Sequence, residues 1–446
     1  MREGSLEAPT RHPIPWQDES YYDEAALDAE LRRVFDICHG CRRCFNLCDS
    51  FPRLFDLIDE SPTGELDSVE SAGFKPVVDA CTLCDMCFMT KCPYVPPHEF
   101  DLDFPHLMLR ARAVEHRKGE TGFADSELAK TDRNGTLASL VSGPANWATR
   151  RGNMLTRPVL EAITDIDRRA DLPEFTSTTF VEQAADSGPV VNAEAPAFGR
   201  RALLYATCYV NFNTPGVGLA TQRVLAHNGV DMVVAHPGCC GMPRLENGDL
   251  AGVAAQARLV AAALEPAIDE GRDIIALTPS CALMLKFEWP LILPEDAKVK
   301  TLSEATYDIS EYVVEIASRE GLAPGLKPLS GGVALHIACH ARAQNIGQKA
   351  AEMLRLIPDP DLQVIERCSG HGGAWGVMKG NFDIALKVGR PVARQALQSG
   401  KAHVASECPL AADHIVQGME KLADGAAFPR DPQHPIQLFA KAYGLM

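Results

Sequence analysis

Uninterrupted apolar runs of the roughly 18 residues that a membrane-crossing helix needs are missing from this 446-residue chain. Its opening stretch, MREGSLEAPTRHPIPWQDESYYDE, lacks the apolar core of a secretory leader. Positive charge is scarce: 43 Lys and Arg against 59 Asp and Glu leave a formal charge of −16. That balance argues against a nucleic-acid or anionic-lipid binder, so any basic docking surface must be local. One candidate is the helix end bearing Arg110, Arg112, Arg117 and Lys118, for which a solvated face is the favoured reading because such short charge clusters are common. No phosphate loop or dinucleotide fingerprint occurs, and GVGLATQ (216–222) has no third glycine in register. NAD or FAD is therefore expected on a partner and not on this chain.

Cysteine is absent from residues 93–207, which makes its distribution on either side informative. Of fifteen cysteines, eight lie between 38 and 92 and seven between 208 and 408. The absences above place the chain in the cytoplasm, where disulfide frameworks are rare and metal or redox chemistry is the default use of thiols. Cys38, Cys41 and Cys44 recur every three residues with Cys48 following, and Cys81, Cys84, Cys87 and Cys92 repeat the plan, with Pro93 after the last. Three close thiols suit three corners of an iron–sulfur cube, with the distant fourth serving the other cluster. The expected sets are Cys38, Cys41, Cys44 and Cys92 for one [4Fe–4S] cluster and Cys48, Cys81, Cys84 and Cys87 for a second. A zinc site would instead take two ligands from each of two knuckles. Arg42 and Arg43, between ligands, either raise a cluster's potential or are simply solvated.

The periodicity of AALDAELRRVFDIC predicts a helix ending at Cys38, and FPHLMLRARAVEHRK predicts another over 104–118. Residues 119–200 show short helical pieces, and AADSGPVVNAEAPAFG (184–199) reads as a linker. Beyond 200, the apolar runs ALLYA, MVVA, IIALT, VALHIA, LQVI and HVAS alternate with helical segments near 216–228, 249–268, 344–356 and 382–399. That alternation predicts parallel strands joined by crossover helices. Cys208, Cys239 and Cys281 each follow a strand, and Cys339, Cys368 and Cys408 do so at offsets of 131, 129 and 127 residues. Two copies of one α/β module are expected, with the three cysteines of each copy converging at the carboxyl ends of the strands.

The expected fold is thus multidomain: an α-helical ferredoxin domain with two clusters over 22–118, a connecting segment over 119–200, and repeated α/β modules over 201–325 and 331–420. Within the first module, HPGCCGMPRLENGD sets adjacent thiols on a glycine-flanked turn. Paired ferredoxin motifs followed by two modules of this CCG kind resemble the family of the anaerobic glycerol-3-phosphate dehydrogenase C subunit. Related members are iron–sulfur subunits of glycolate and lactate oxidation systems and the B and C subunits of heterodisulfide reductase. LASLVSGPANW and LPEFTSTTF look most like the glycerol-3-phosphate dehydrogenase branch. In the heterodisulfide reductase relatives, a complete module uses five cysteines for a non-cubane [4Fe–4S] cluster.

This chain departs from that pattern twice. Its first copy has Cys208, Cys239, Cys240 and Cys281, but Met284 stands at the fifth position. Its second copy reads RCSGHGGAWG, with Ser369 in place of the second thiol of the pair, and is degenerate. Two readings of the first set stay open: a third cluster, or a redox thiol site. In the second copy, Cys339, Cys368 and Cys408 have His340 and His371 beside them, and these imidazoles either ligate iron or cap turns.

The resemblance implies an iron–sulfur electron-transfer subunit of an oxidoreductase, passing electrons from a flavoprotein or similar donor to quinone or another acceptor. It further implies a location peripheral to the inner face of a membrane through a partner. Alternatives are a disulfide or thiol reductase with its active site in the CCG modules, an electron donor to a peroxide-reducing di-iron protein, and a redox sensor.

Overall fold

The computed structural model describes residues 9–186 and 188–446; the polar reading of residues 1–8 and the place of Ser187 in the expected linker fall outside them. Toward the amino end the structure is helical. Helix Glu24–Cys41 is capped by Asp23, whose side chain accepts from the Ala26 amide, and it buries Leu27, Leu31, Val34 and Phe35 on one stripe. It runs one turn past the expected end at Cys38, because Arg42 stops it in the left-handed region (φ 53°) with its amide on the Cys38 carbonyl. Helix Phe104–Arg117 lies where its pattern places it, and Asp103 caps it.

Among the described residues, seven strands form two parallel sheets. The first, in the order β2-β1-β3-β4, uses β1 (Arg201–Tyr205), β2 (Asp231–Ala235), β3 (Asp273–Ala276) and β4 (Thr306–Asp308). The second, in the order β6-β5-β7, uses β5 (Val333–His336), β6 (Leu362–Ile365) and β7 (His403–Ser406). The second order repeats the first without β4. Central β1 and β5 are buried along nearly their whole length, so they read as continuous apolar runs, whereas edge strands β2 and β6 are more exposed. Strand β4 has the sequence TYD and carried no apolar signal.

One apolar core crosses the expected boundary between the helical region and the first module: Phe35, Phe51 and Met108 share it with Val253, Ala257 and Trp289. Polar contacts reinforce that junction. Arg11 reaches Asp85 (2.7 Å), Asp103 (2.9 Å) and Glu288 (3.0 Å) with little exposure, and Trp16 donates to the Ile292 carbonyl (2.8 Å). A second core lies between the two modules and includes Leu204, Leu335 and Phe439 of the C-terminal helix Pro435–Tyr443. The expected linker is pinned to the first module: Asn192 donates from its amide to Ala226 (2.9 Å) and from its side chain to His227 (3.0 Å), and Ala195 and Ala197 are buried. Among the described residues no helix is long and apolar enough to cross a membrane.

Candidate functional site

Cys38 and Cys41 occupy the last turn of helix Glu24–Cys41, and Cys44 and Cys48 follow in the turn after Arg42. In the second motif, Leu83 (φ 47°) and Asp85 (φ 63°) are both left-handed, which folds the chain sharply between Cys81, Cys84 and Cys87. The Arg11 guanidinium holds Asp85 through two bonds and stacks 4.4 Å over Phe88. Thiols of the two motifs lie in one another's field. Cys38 lies in the field of Cys92, Cys44 and Cys41, while Cys87 lies in that of Cys84, Cys81, Cys44 and Cys48. Burial and like-charged neighbours push these thiols up: Cys44 to about 12, Cys81 to about 12 and Cys92 to about 11. A donor set this crowded ionises readily only around compensating positive charge, which a bound iron centre supplies. Among the described residues no three Cys, His, Asp or Glu side chains close on one ion-sized site, the arrangement mononuclear zinc takes.

The two arginines between ligands differ. Arg42 spends its charge on Asp59 (2.5 Å) and stacks over Phe55 (5.3 Å). Arg43, with Lys91, acts on Cys44 and eases its ionisation.

In the first module, Cys208 opens helix Cys208–Phe212, capped by Thr207, and Cys281 lies in helix Pro279–Leu283. Cys239 and Cys240 occupy the turn after β2, where Gly241 (φ 82°) takes a conformation a side chain would strain. Cys239, Cys240 and Cys281 are buried, and the Cys208 and Cys239 sulfurs stand 3.8 Å apart. Cys239 is drawn well below the ordinary thiol range by the Cys208 and Cys240 thiols, the Thr131 hydroxyl and the Gly241 amide. Its own amide donates to Asp132 (2.7 Å), which also holds His236 (2.9 Å). Trp289 donates to the Cys240 carbonyl (3.0 Å), and Tyr205 to the Gly238 carbonyl (2.6 Å). Met284 is fully buried immediately after this helix. Thr131, Asp132, Tyr205 and Trp289 escaped the sequence reading, since no spacing ties them to the cysteines.

The second module arranges its thiols differently from the expected convergence. Cys339 packs into the core of the helical region and first module, whereas Cys408 packs against the core between the modules, beside Glu407 and Asp413. Helix Cys339–Ala343 lies against Met86–Thr90 and Pro279–Leu283. Burial and the nearby Cys368 and Cys84 thiols push the Cys339 thiol well above the ordinary range. His340 sits 3.4 Å from the Leu83 carbonyl, and the buried His371 ring is driven down to about 3 by burial, so both imidazoles are neutral. Ser369 is buried, and the His371 amide bonds its hydroxyl (3.5 Å).

Arg112 ties these parts together, donating to Val78 (2.8 Å), Glu246 (2.9 Å) and Cys81 carbonyls. The Glu246 carboxyl, pressed against Gly373, is raised by burial from 4.5 to about 7, with Arg112 opposing. The folded chain therefore holds this proton more tightly than the unfolded chain, so this site's stabilising contribution is greatest below pH 4.5 and declines as pH rises to about 7. Glu246→Gln is expected to raise stability at pH 8 by roughly 1 to 3 kcal/mol and to change little at pH 4.5. Urea midpoints of both chains across that range check it.

Residues 202–286 match the family model described as cysteine-rich domain, of the CCG type. The chain is similar to the C subunit of anaerobic glycerol-3-phosphate dehydrogenase of Escherichia coli K12, at 26% identity over 352 residues, covering 77% of this chain and 82% of that one. It is also similar to an iron–sulfur protein of Methanocaldococcus jannaschii, at 26% over 271 residues, 58% of this chain and 50% of that one. The D subunit of the dihydromethanophenazine:CoB–CoM heterodisulfide reductase of Methanosarcina barkeri matches at 23% over 255 residues, 54% of this chain and 59% of that one.

Proposed function

We propose, for a chain that carries a cysteine-rich CCG domain and is related to subunits of a dehydrogenase and a heterodisulfide reductase, the role of iron–sulfur electron-transfer subunit in an oxidoreductase. What supports this reading is that thiols of the two motifs lie in one another's field, beside the first-module thiols along one core. Cys38, Cys41, Cys44 and Cys92 would hold one [4Fe–4S] cluster, Cys48, Cys81, Cys84 and Cys87 a second, and Cys208, Cys239, Cys240 and Cys281 a third. Such clusters, when bound, supply one-electron steps.

The chain's own residues supply burial, donors and access. The Gly241 amide donates to the Cys239 sulfur (3.4 Å), which lowers the cost of negative charge there. Leu137, Leu140, Val141 and Trp147, on the segment that begins at Thr131, are exposed and offer a redox partner subunit an apolar landing beside those thiols. A flavin-bearing subunit fits that place as donor, with quinone or another acceptor downstream.

Iron and acid-labile sulfide counted on anaerobically purified chain are expected to give about twelve irons, four for each of three clusters. Cys240→Ser is expected to leave about eight and to alter the paramagnetic spectrum. About eight in the unaltered chain would move the first module to thiol chemistry, a reading that the 3.8 Å contact between Cys208 and Cys239 favours. Absence of iron from the chain would overturn the proposal.

A further inference from the structure

A buried group of charges outside the thiol sites lies where the helical region meets the first module. The N-terminal segment is pinned on both sides of Arg11, by the Thr10 amide on the Pro96 carbonyl (3.2 Å) and the Ile14 amide on the Leu291 carbonyl (2.8 Å). Arg11 is thereby set among three carboxylates, Asp85, Asp103 and Glu288. The last of these is carried inward by the π-helical turn Met284–Glu288. Beside Arg11, the His106 ring stands between two of the same carboxylates: Nε2 is 3.2 Å from Glu288, and Nδ1 is 3.4 Å from Asp103. A neutral imidazole donates from one nitrogen only, so a ring facing acidic oxygens on both sides is held best as the cation. Burial and Arg11 oppose that charge, Asp103 and Glu288 outweigh them, and the ring keeps its proton above the ordinary value of 6.5. Against its own burial, Glu288 is drawn down to about 2 by His106 and Arg11. With 14% of its side chain exposed, His106 still exchanges protons with water.

This network sits between two of the thiol sites. A cavity of about 10 Å³, the room of a single water, is walled by Leu83 and Asp85 on either side of Cys84, by His106, and by Met242, Leu283 and Glu288 of the first module. Met242 and Leu283 each stand two residues after a thiol, Cys240 and Cys281. The charged and titratable groups facing the ring are Arg11 from the N-terminal segment, Asp103 from its own helix cap and Glu288 from the first module. Asp85 and His340 lie one step further, Asp85 on Arg11 and His340 in the field of Glu288. With three carboxylates already gathered here, one more negative charge nearby is costly unless a proton comes with it.

We propose that His106 is the proton-holding residue for one-electron transfer between the second ferredoxin site and the first module. This rests on the reading that Cys48, Cys81, Cys84 and Cys87 hold a cluster. As one electron from a single-electron donor reaches that site, the His106 ring takes one proton from water and gains its second N–H bond. The net charge of the junction is then unchanged. As the electron passes on to the first module, that N–H bond breaks and the proton returns to water. Asp103 and Glu288 position the ring and set how firmly it holds the proton.

The test uses iron-loaded full-length chain, purified anaerobically and titrated with dithionite against viologen mediators, with the paramagnetic spectrum read between about pH 6 and about pH 10. The signal of the second ferredoxin site is the one that Cys87→Ala removes. Its midpoint is expected to stay level while the ring is charged in both redox states, and to fall once pH passes the ring's raised value. The fall is a tenfold loss in the reduction equilibrium per pH unit, about 59 mV for one electron. His106→Gln is expected to hold the same iron and to abolish that slope. Asp103→Asn keeps the ring and a side chain that caps helices well but removes one of the ring's two anions, so it is expected to move the sloping range to lower pH.

A midpoint that stays level across the whole range in the unaltered chain would overturn the proposal and leave the cluster reading intact. A slope that survives in His106→Gln would also overturn it, by assigning the proton to another group. Should His106→Gln lose its iron, Asp103→Asn decides alone, and a sloping range that it fails to move counts against the proposal. Chain that binds no iron, or that keeps every signal in Cys87→Ala, would instead fail the cluster reading, and the proposal would fall with it for a reason visible in the iron count.

Discussion

Cys92→Ala is expected to remove about four irons from the anaerobically purified chain, and adding Cys38→Ala is expected to remove no more. The Cys92 sulfur is the strongest thiol neighbour of Cys38, and Cys44 lies in the field of Cys92 and Cys41. Residues from two motifs more than forty positions apart therefore contribute to one donor set. If that set holds one cube, losing either member empties the same site, so the two substitutions are not additive. Cys92→Ala combined with Cys87→Ala strikes both sets and is expected to remove about eight irons. Ligation of each cube by its own motif makes the opposite pattern: Cys92→Ala becomes additive with Cys38→Ala and silent beside Cys87→Ala. Iron and sulfide analysis of these four chains, with far-ultraviolet dichroism to check folding, decides between the two arrangements.

Strands buried on both faces announce themselves as apolar runs, which is why ALLYA, IIALT and VALHIA were legible as β1, β3 and β5. Strand β4 was not, because three residues of sequence TYD owe their strand geometry to pairing with Ile274, Ile275 and Ala276. The end of the first helix was misplaced by one turn, since the stop comes from the left-handed Arg42 and not from glycine or proline. Thiol spacing pointed to the cysteines, but the residues that support them are ordinary in type and distant in sequence. Asp132 reaches Cys239 across 107 positions and Arg11 reaches Glu288 across 277. The repeat itself misled on one point. Matching offsets implied that Cys339, Cys368 and Cys408 converge like their first-module counterparts, yet Cys408 packs against the core between the modules while the helix that Cys339 opens packs on the second ferredoxin motif.

That dependence on packing makes Trp289 the side chain whose removal should do most harm without touching a thiol. It is wholly buried in the core shared by the helical region and first module, and its indole donates to the Cys240 carbonyl. Trp289→Ala is expected to cost about 3 to 5 kcal/mol through the cavity it leaves. Trp289→Phe keeps most of the apolar volume and orphans the carbonyl, for about 1 to 3 kcal/mol. The two variants separate volume from hydrogen bonding, and urea midpoints read the first. The second is read at the site, by the rate at which Cys240 is alkylated in iron-free chain under native conditions. Since the indole fixes the backbone at Cys240, the Phe variant is expected to speed that reaction more than its loss of stability alone requires. An alkylation rate that simply follows the urea midpoint in both variants would reduce Trp289 to core filling and leave the position of Cys240 to the turn at Gly241.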